Sequence, residues 1–301
     1  SSKKISYVVT FMKEDNKTVL ETRKVSSGSV LGNLPSTRQY FTKTGGNGTE
    51  YTSTSTITDD ALVYPKLTKF ELDSWTTIAT NVRNGNTGDY NVGDTKEVNL
   101  GTTYGTHTLR IANTTTPSEC STSGFSQTAC GFVLEFADII TTYEMNDTDT
   151  NVGGWPASSM YDFVNYDIYN SLPSDLKSTI IDTTVVSSHG STNGENFTSI
   201  DKLYLLSLKE VYSDWSTNSY SSYDSAKDLT RTLDYYINKN VTSSDDSETI
   251  KKYKTTDSWW WLREAHSNYD HSFFIVPTDD YSYFSTYANT SGGVSPAFRI
   301  G

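Results

Sequence analysis

The 301-residue sequence predicts an α+β fold, weighted toward strands and built as two consecutive domains. Three observations predict it. The chain is rich in Thr, Ser, Asn, Gly and Tyr, with 21 Tyr against 3 Met, and poor in Ala and Leu. Such side chains favour strands, turns and ordered loops over helices. Segments alternating apolar and polar residues recur along the chain, whereas helical periodicity is confined to a few short stretches. A hydrophobic share of 35% with 13% aromatics is enough for packed cores and excludes a disordered chain.

The elements follow in order. Residues 5–11 (ISYVVTF) and 18–25 (TVLETRKV) alternate as strands. Gly28, Gly32 and Pro35 punctuate turns, and further strands close a first domain over residues 1–67. Apolar positions at Phe70, Leu72, Trp75, Ile78, Ala79 and Val82 predict a helix capped by Asp73 or Ser74 and ending near Asn84. That helix opens a second domain, residues 68–301. Strands are expected in YNVGDTKEVNL and THTLRIAN, and a buried one in GFVLEFADII. A helix should start near Pro156, since proline suits a first helical turn, and another in SDLKSTII with Ser174 as its cap. Residues 203–208 read as a strand, SAKDLTRTLDYYINKN as a helix ending near Asn240, and the last forty-odd residues as strands and loops.

Charge and cysteines narrow the function. The net charge is −12, and the basic residues gather only at Lys251, Lys252 and Lys254. Phosphate backbones and anionic lipid surfaces need concentrated positive charge, so nucleic-acid and membrane-surface partners are excluded. No apolar run reaches the roughly 18 residues of a membrane-spanning helix. Cys120 and Cys130 share one loop-like segment, PSECSTSGFSQTAC, without His or further Cys beside them. A local disulfide is the simpler reading, contributing about 2–3 kcal/mol and pointing to an oxidising, extracellular setting. Two reduced thiols in a packed loop are the alternative.

The most informative stretch runs from His266 to Ala288, HSNYDHSFFIVPTDDYSYFSTYA. Two strands joined at Thr278-Asp279-Asp280 would gather Tyr, Phe, Ser, Thr, Asp and His on one patch. Tyr gives large contact area at low entropy cost, and Ser, Thr and Asn give adaptable hydrogen bonds, as in antibody binding loops. The candidate ligand-binding residues are His266, Tyr269, Asp270, His271, Phe274, Val276, Thr278, Asp279, Asp280, Tyr281, Tyr283, Phe284, Ser285 and Tyr287. Each could equally fill a core, since strand residues alternate between faces. From His266 onward the chain contains no Lys, Glu, Gln, Met or Trp. Randomising the adenines of Asn codons cannot reach those five residue types, and it can reach the ones present.

Other chemistry is weakly signalled. Asn146, Asp147, Asp149 and Asn151 are spaced like calcium ligands, but Val152 and Ser158 stand where an EF-hand loop needs Gly and Glu. His189, Ser191 and Glu195 lie close in sequence without a Gly-x-Ser-x-Gly elbow to position a nucleophile. No catalytic residue, metal site or cofactor is expected, and the protein is not expected to be an enzyme.

The first domain resembles the Listeria–Bacteroides repeat of internalin-type surface proteins. The resemblance rests on YVVTF, TRKVSSGSVLGNLP, the turn Gly45-Gly46-Asn47-Gly48 and STITDDALVYPKL. It implies a small β-grasp-like module; Phe41 lacks the Gly-Trp that follows it in the family pattern. The second domain resembles surface domains of gut Firmicutes that appear as variable proteins of diversity-generating retroelements. Its matching stretches include YNVGDTKEVNLG, GGWPASSM, DKLYLLSLKEV, SWWWLR and GGVSPAFRIG. This resemblance implies a C-type-lectin-like fold displaying a variable region at about 264–290. Trp259, Trp260, Trp261, Arg263, Phe273, Pro296, Phe298 and Arg299 would be framework. Glu264 stands where that family usually has Ser. The function implied is a ligand-binding protein on the surface of a bacterium, encoded by the bacterium or a prophage, with a protein or glycan partner. Two other readings stay open: an adhesin or glycan-binding protein with a fixed ligand, and an enzyme on a lectin-like fold.

Overall fold

A computed structural model of the protein describes residues 2–244, 247–278 and 283–301. It is a mixed α+β fold in which strands predominate, 32% against 21% helix, and the sheets are curled. The chain forms two compact units, Ser1–Leu72 and Asp73–Gly301.

The first unit is a five-stranded sheet. Its strands are β1 (Ser6–Met12), β2 (Val19–Ser26), β3 (Tyr40–Lys43), β4 (Asn47–Tyr51) and β5 (Ala61–Pro65), in the order β2-β1-β5-β3-β4. β1 runs parallel to β5, and the other neighbours are antiparallel. Alternation along β1 turns Val9 and Phe11 inward, where they join Val25, Leu31, Tyr40, Ile57 and Val63 in one core. The unit extends past the expected end at residue 67, through the helical turn Lys69–Leu72. Phe70 is fully buried, and Arg38 donates to both carboxylate oxygens of Glu71 at 2.8 and 2.7 Å. A bidentate pair of this kind fixes the turn firmly.

The second unit opens with the helix Trp75–Arg83, whose cap is Ser74: its hydroxyl accepts from the Thr77 N–H. Asp73 accepts instead from the Tyr90 hydroxyl. Among the described residues fourteen strands follow: β6 (Thr95–Asn99), β7 (Thr106–Asn113), β8 (Val133–Phe136), β9 (Thr141–Tyr143), β10 (Ile180–Ile181), β11 (Thr183–Ser187), β12 (Phe197–Asp201), β13 (Lys251–Tyr253), β14 (Thr256–Ser258), β15 (Trp260–Ala265), β16 (Ser272–Val276), β17 (Ser285–Tyr287), β18 (Gly292–Val294) and β19 (Ala297–Ile300). Two five-stranded sheets organise the unit, ordered β10-β19-β8-β7-β6 and β17-β16-β15-β18-β9; two hairpins, β11-β12 and β13-β14, complete it. The last forty residues therefore contribute to both large sheets.

Several elements differ from expectation. Ser174 is the first residue of the helix Ser174–Lys177, and Pro173 holds the cap position. Residues 203–208 form no strand: Tyr204 makes one bridge to Ala297, and a helix Leu208–Val211 follows, closed by a capping box between Ser207 and Glu210. An apolar run buried on every side carries no periodicity to mark its conformation. Of the helix expected over 225–240, the α-helical part is Asp234–Asn238. Thr230, Arg231 and Thr232 are drawn out of a helix by bonds to Glu210, Asn113 and the Lys209 carbonyl. The helix expected near Pro156 forms in pieces: a 3-10 turn Trp155–Ala157, then Ser159–Asp162 and a π-helical turn Phe163–Ile168. Cys120 and Cys130 are joined as a disulfide.

Candidate ligand-binding surface

The surface is built outward from β15, whose six residues WWLREA are all buried. The indole N–H of Trp260 donates to the Thr249 carbonyl at 3.1 Å, and that of Trp261 to the Tyr143 carbonyl at 2.9 Å. Buried Trp needs such a partner for its N–H, so these rings are anchors rather than a surface platform. Gly292 lies against them: a Cβ there would come within 2.2 Å of the Trp259 ring and 2.7 Å of the Trp261 nitrogen. The Gly292-Gly293 pair is required because only a bare backbone fits beside the tryptophans.

Arg263 is the electrostatic anchor. Its guanidinium donates to Glu210 through two bonds, 2.7 and 2.6 Å, and to the carbonyls of Leu205 and Val186 at 3.0 and 3.1 Å. Thr128 and Thr230 donate to the same Glu210 oxygen. Arg263 and Glu210 are both fully buried, and this degree of hydrogen bonding is what makes a buried pair tolerable. The neighbouring Glu264 accepts from the Ser188 N–H at 2.7 Å. Burial, then the adjacent Asp224 carboxylate, raise its pKa well above the usual carboxylate range; Asp224 is raised too, chiefly by burial. Burial, which disfavours the charged form, is the largest cause of both shifts.

After Ala265 the chain leaves the sheet, loops through residues 266–271 and returns as β16. Asn151 holds this loop from below. Its side-chain amide donates to the carbonyls of Ser272, Tyr269 and His266 at 2.8, 3.0 and 3.3 Å, and its backbone N–H donates to the Asp270 carbonyl at 2.8 Å. Gly190 makes room for that amide, since a Cβ there would lie 2.1 Å from the Asn151 oxygen.

The held loop supports a column of rings. Tyr223 stacks on His266 at 4.7 Å between centroids, His266 on Tyr269 at 4.4 Å, Tyr269 on His271 at 5.2 Å and His271 on Tyr287 at 5.1 Å, with interplanar angles of 22 to 29°. The column is buried at His266, 3% exposed, and ends at the surface, with Tyr269 45% and Tyr287 56% exposed. Burial, followed by repulsion from His271, lowers the pKa of His266 to about 4, so the ring is neutral at physiological pH. His271 Nδ1 lies 3.1 Å from a carboxylate oxygen of the exposed Asp270. Beside the column, Phe284 sits among Trp215, Tyr212 and Tyr220 at 5.5, 6.0 and 5.9 Å.

The expected site residues therefore separate. Tyr269, Asp270 and Tyr287, all exposed, come together around the half-buried His271; Ser285 and Thr278 are half-buried too, and Tyr283 is 64% exposed. Phe284 is half-buried in its aromatic cluster. His266, Phe274 and Val276 are not displayed on this patch: all three are buried. Phe274 packs edge-on against Trp215 and stacks on His266, and every residue of β16 is buried, so alternation there selects between two cores and not between core and solvent. Asp279, Asp280 and Tyr281 lie outside the described residues. Asn151, Tyr223 and Glu210 were not legible as parts of this site, since each acts from more than forty residues away. His189 has its Nδ1 2.7 Å from the carbonyl of Gly190.

The arrangement defines a mostly β domain whose buried charged and aromatic frame presents an aromatic surface. Residues 132–301, more than half of the chain, match the family described as a domain of unknown function (DUF6273), and the chain belongs to that family. No curated protein and no solved structure matches the chain.

Proposed function

We propose that the protein is an extracellular ligand-binding protein, displayed on a bacterial surface, whose patch around residues 266–288 is varied by a diversity-generating retroelement. The observation that carries this reading is the outer end of the ring column: Tyr269 and His271 stand on a loop tied down by Asn151, and Tyr287 stands on β17, paired to β16. A tied backbone lets exposed side chains change with little cost to folding, which is what a diversified surface requires. Tyr, His, Asp and Ser on that patch suit recognition by contact area and hydrogen bonding of a protein or glycan, without catalysis. The disulfide supports an extracellular setting.

The finer fold reading belongs to the same proposal. Curled sheets with long irregular stretches support a C-type-lectin-like second unit. The central parallel pair β1-β5 supports a β-grasp-like first unit acting as a spacer. Among the described residues, no helix is long and apolar enough to cross a membrane.

Sequencing the DNA around the gene tests the reading. The expected result is a near-identical template copy of the segment encoding the patch, beside a reverse-transcriptase gene, with differences at template adenines. A locus lacking both would leave a fixed-ligand adhesin as the account of the patch.

A further inference from the structure

Away from the ring column, a cavity of about 480 Å³ opens in the second unit, in the size range of roughly 300–1,000 Å³ that holds small ligands. Its apolar wall comes from Val82 at the end of the helix Trp75–Arg83, Phe132, Ile181 in β10 and Ile300 in β19. Arg83 and Arg299 also line it. The protein carries 36 Asp and Glu against 24 Lys and Arg, so an arginine would ordinarily find an acidic partner. Neither of these two pairs with a carboxylate of any described residue. Arg83 donates to the Thr80 hydroxyl at 3.0 Å. Arg299 donates to the Thr183 hydroxyl at 3.0 Å and to the carbonyls of Asp182 and Cys130 at 3.1 and 3.4 Å. The Asp182 carboxylate turns away to Lys202 at 2.9 Å. These bonds engage one N–H on each nitrogen of Arg299 and leave two of its five donors uncommitted.

Two cations with no carboxylate partner among the described residues, beside an apolar wall, define the complementary ligand. We propose that this cavity binds an amphipathic organic anion, with its apolar body against Val82, Phe132, Ile181 and Ile300 and its acidic head against Arg83 and Arg299. Carboxylate, sulfonate and phosphate heads share the required chemistry, since each accepts several N–H bonds and neutralises the charge. The proposal is independent of the ring column and stands whether or not that patch is diversified.

Isothermal titration of the intact chain with decanoate at low ionic strength tests it, with decan-1-ol and hexanoate as companions. Decanoate is expected to bind one per chain, at least tenfold more tightly than decan-1-ol, because hydrogen bonds to a charged group favour the anion. Hexanoate is expected to bind far more weakly, by about fourfold for each methylene lost. Arg83 is exposed, so Arg83→Gln should fold normally, and it is expected to weaken decanoate about tenfold while leaving decan-1-ol unchanged. Absence of saturable decanoate binding, equal affinity for the alcohol, or an unchanged affinity in Arg83→Gln would overturn the proposal.

Discussion

At the scale of single residues, buried ionisable groups determine how the surface is held. Removing Arg263 leaves Glu210 charged and fully buried without its cation. Arg263→Met is therefore expected to destabilise the second unit by about 3–5 kcal/mol, read by urea denaturation, and replacing Glu210 by Leu as well should recover part of that loss. His266 gives a prediction about acid. Its folded pKa of about 4 lies below the ordinary 6.5, so folding favours the neutral ring. Its contribution is complete above pH 6.5 and is lost as pH falls from there toward 4. His266→Phe keeps the stacking and should flatten stability across that window; an unchanged slope would show that the ring is not the titrating group. Glu264 has the opposite sign. Its folded pKa is raised, so its contribution is complete below the ordinary carboxylate range and is lost as pH rises. Glu264→Gln removes that loss and should raise the melting temperature at pH 7 relative to the parent.

At the scale of elements, the 266–271 loop depends on one side chain from a distant segment. Asn151→Ala breaks two hydrogen bonds to its carbonyls, at His266 and Tyr269, and a third to Ser272 at the start of β16. Hydrogen exchange should then accelerate in residues 266–272 while β15 stays protected, because the strand is held separately by its tryptophans and Arg263. Equal acceleration in both would mean that loop and strand open as one unit. The disulfide ties another loop, a ten-residue separation between Cys120 and Cys130. Replacing both by Ser is expected to cost about 2–3 kcal/mol, measured as a shift in the denaturation midpoint.

At the scale of the whole molecule, what was legible followed from physics that acts locally. Alternation marked β1 and β2, and the Ser74 cap marked the helix Trp75–Arg83. The tryptophan run was implied to be frame by the resemblance and not by local physics, and the close approach of the Gly292 backbone to the Trp259 and Trp261 rings was not legible. Patterns that depend on long-range partners were not legible. Residues 203–208 are equally apolar in all directions, so their environment leaves no period to read. Residues 230–232 abandon a helix because their bonds go to groups up to 118 residues distant. Phe274 and Val276 looked displayed because alternation indicates two faces without indicating which of them meets water. The ring column itself needed Tyr223 and Asn151 from other parts of the chain.

On the proposed reading, the frame is fixed and the exposed ring-bearing patch meets the ligand. Sequencing this locus codon by codon in independent isolates tests it most directly. The account predicts that replacements concentrate at Tyr269, Asp270, His271, Tyr283, Ser285 and Tyr287, that Phe274 and Val276 stay apolar, and that Trp260, Trp261, Arg263 and Gly292 do not change. Replacements spread evenly over exposed and buried codons, or an exposed patch as constant as the tryptophans beneath it, would contradict it.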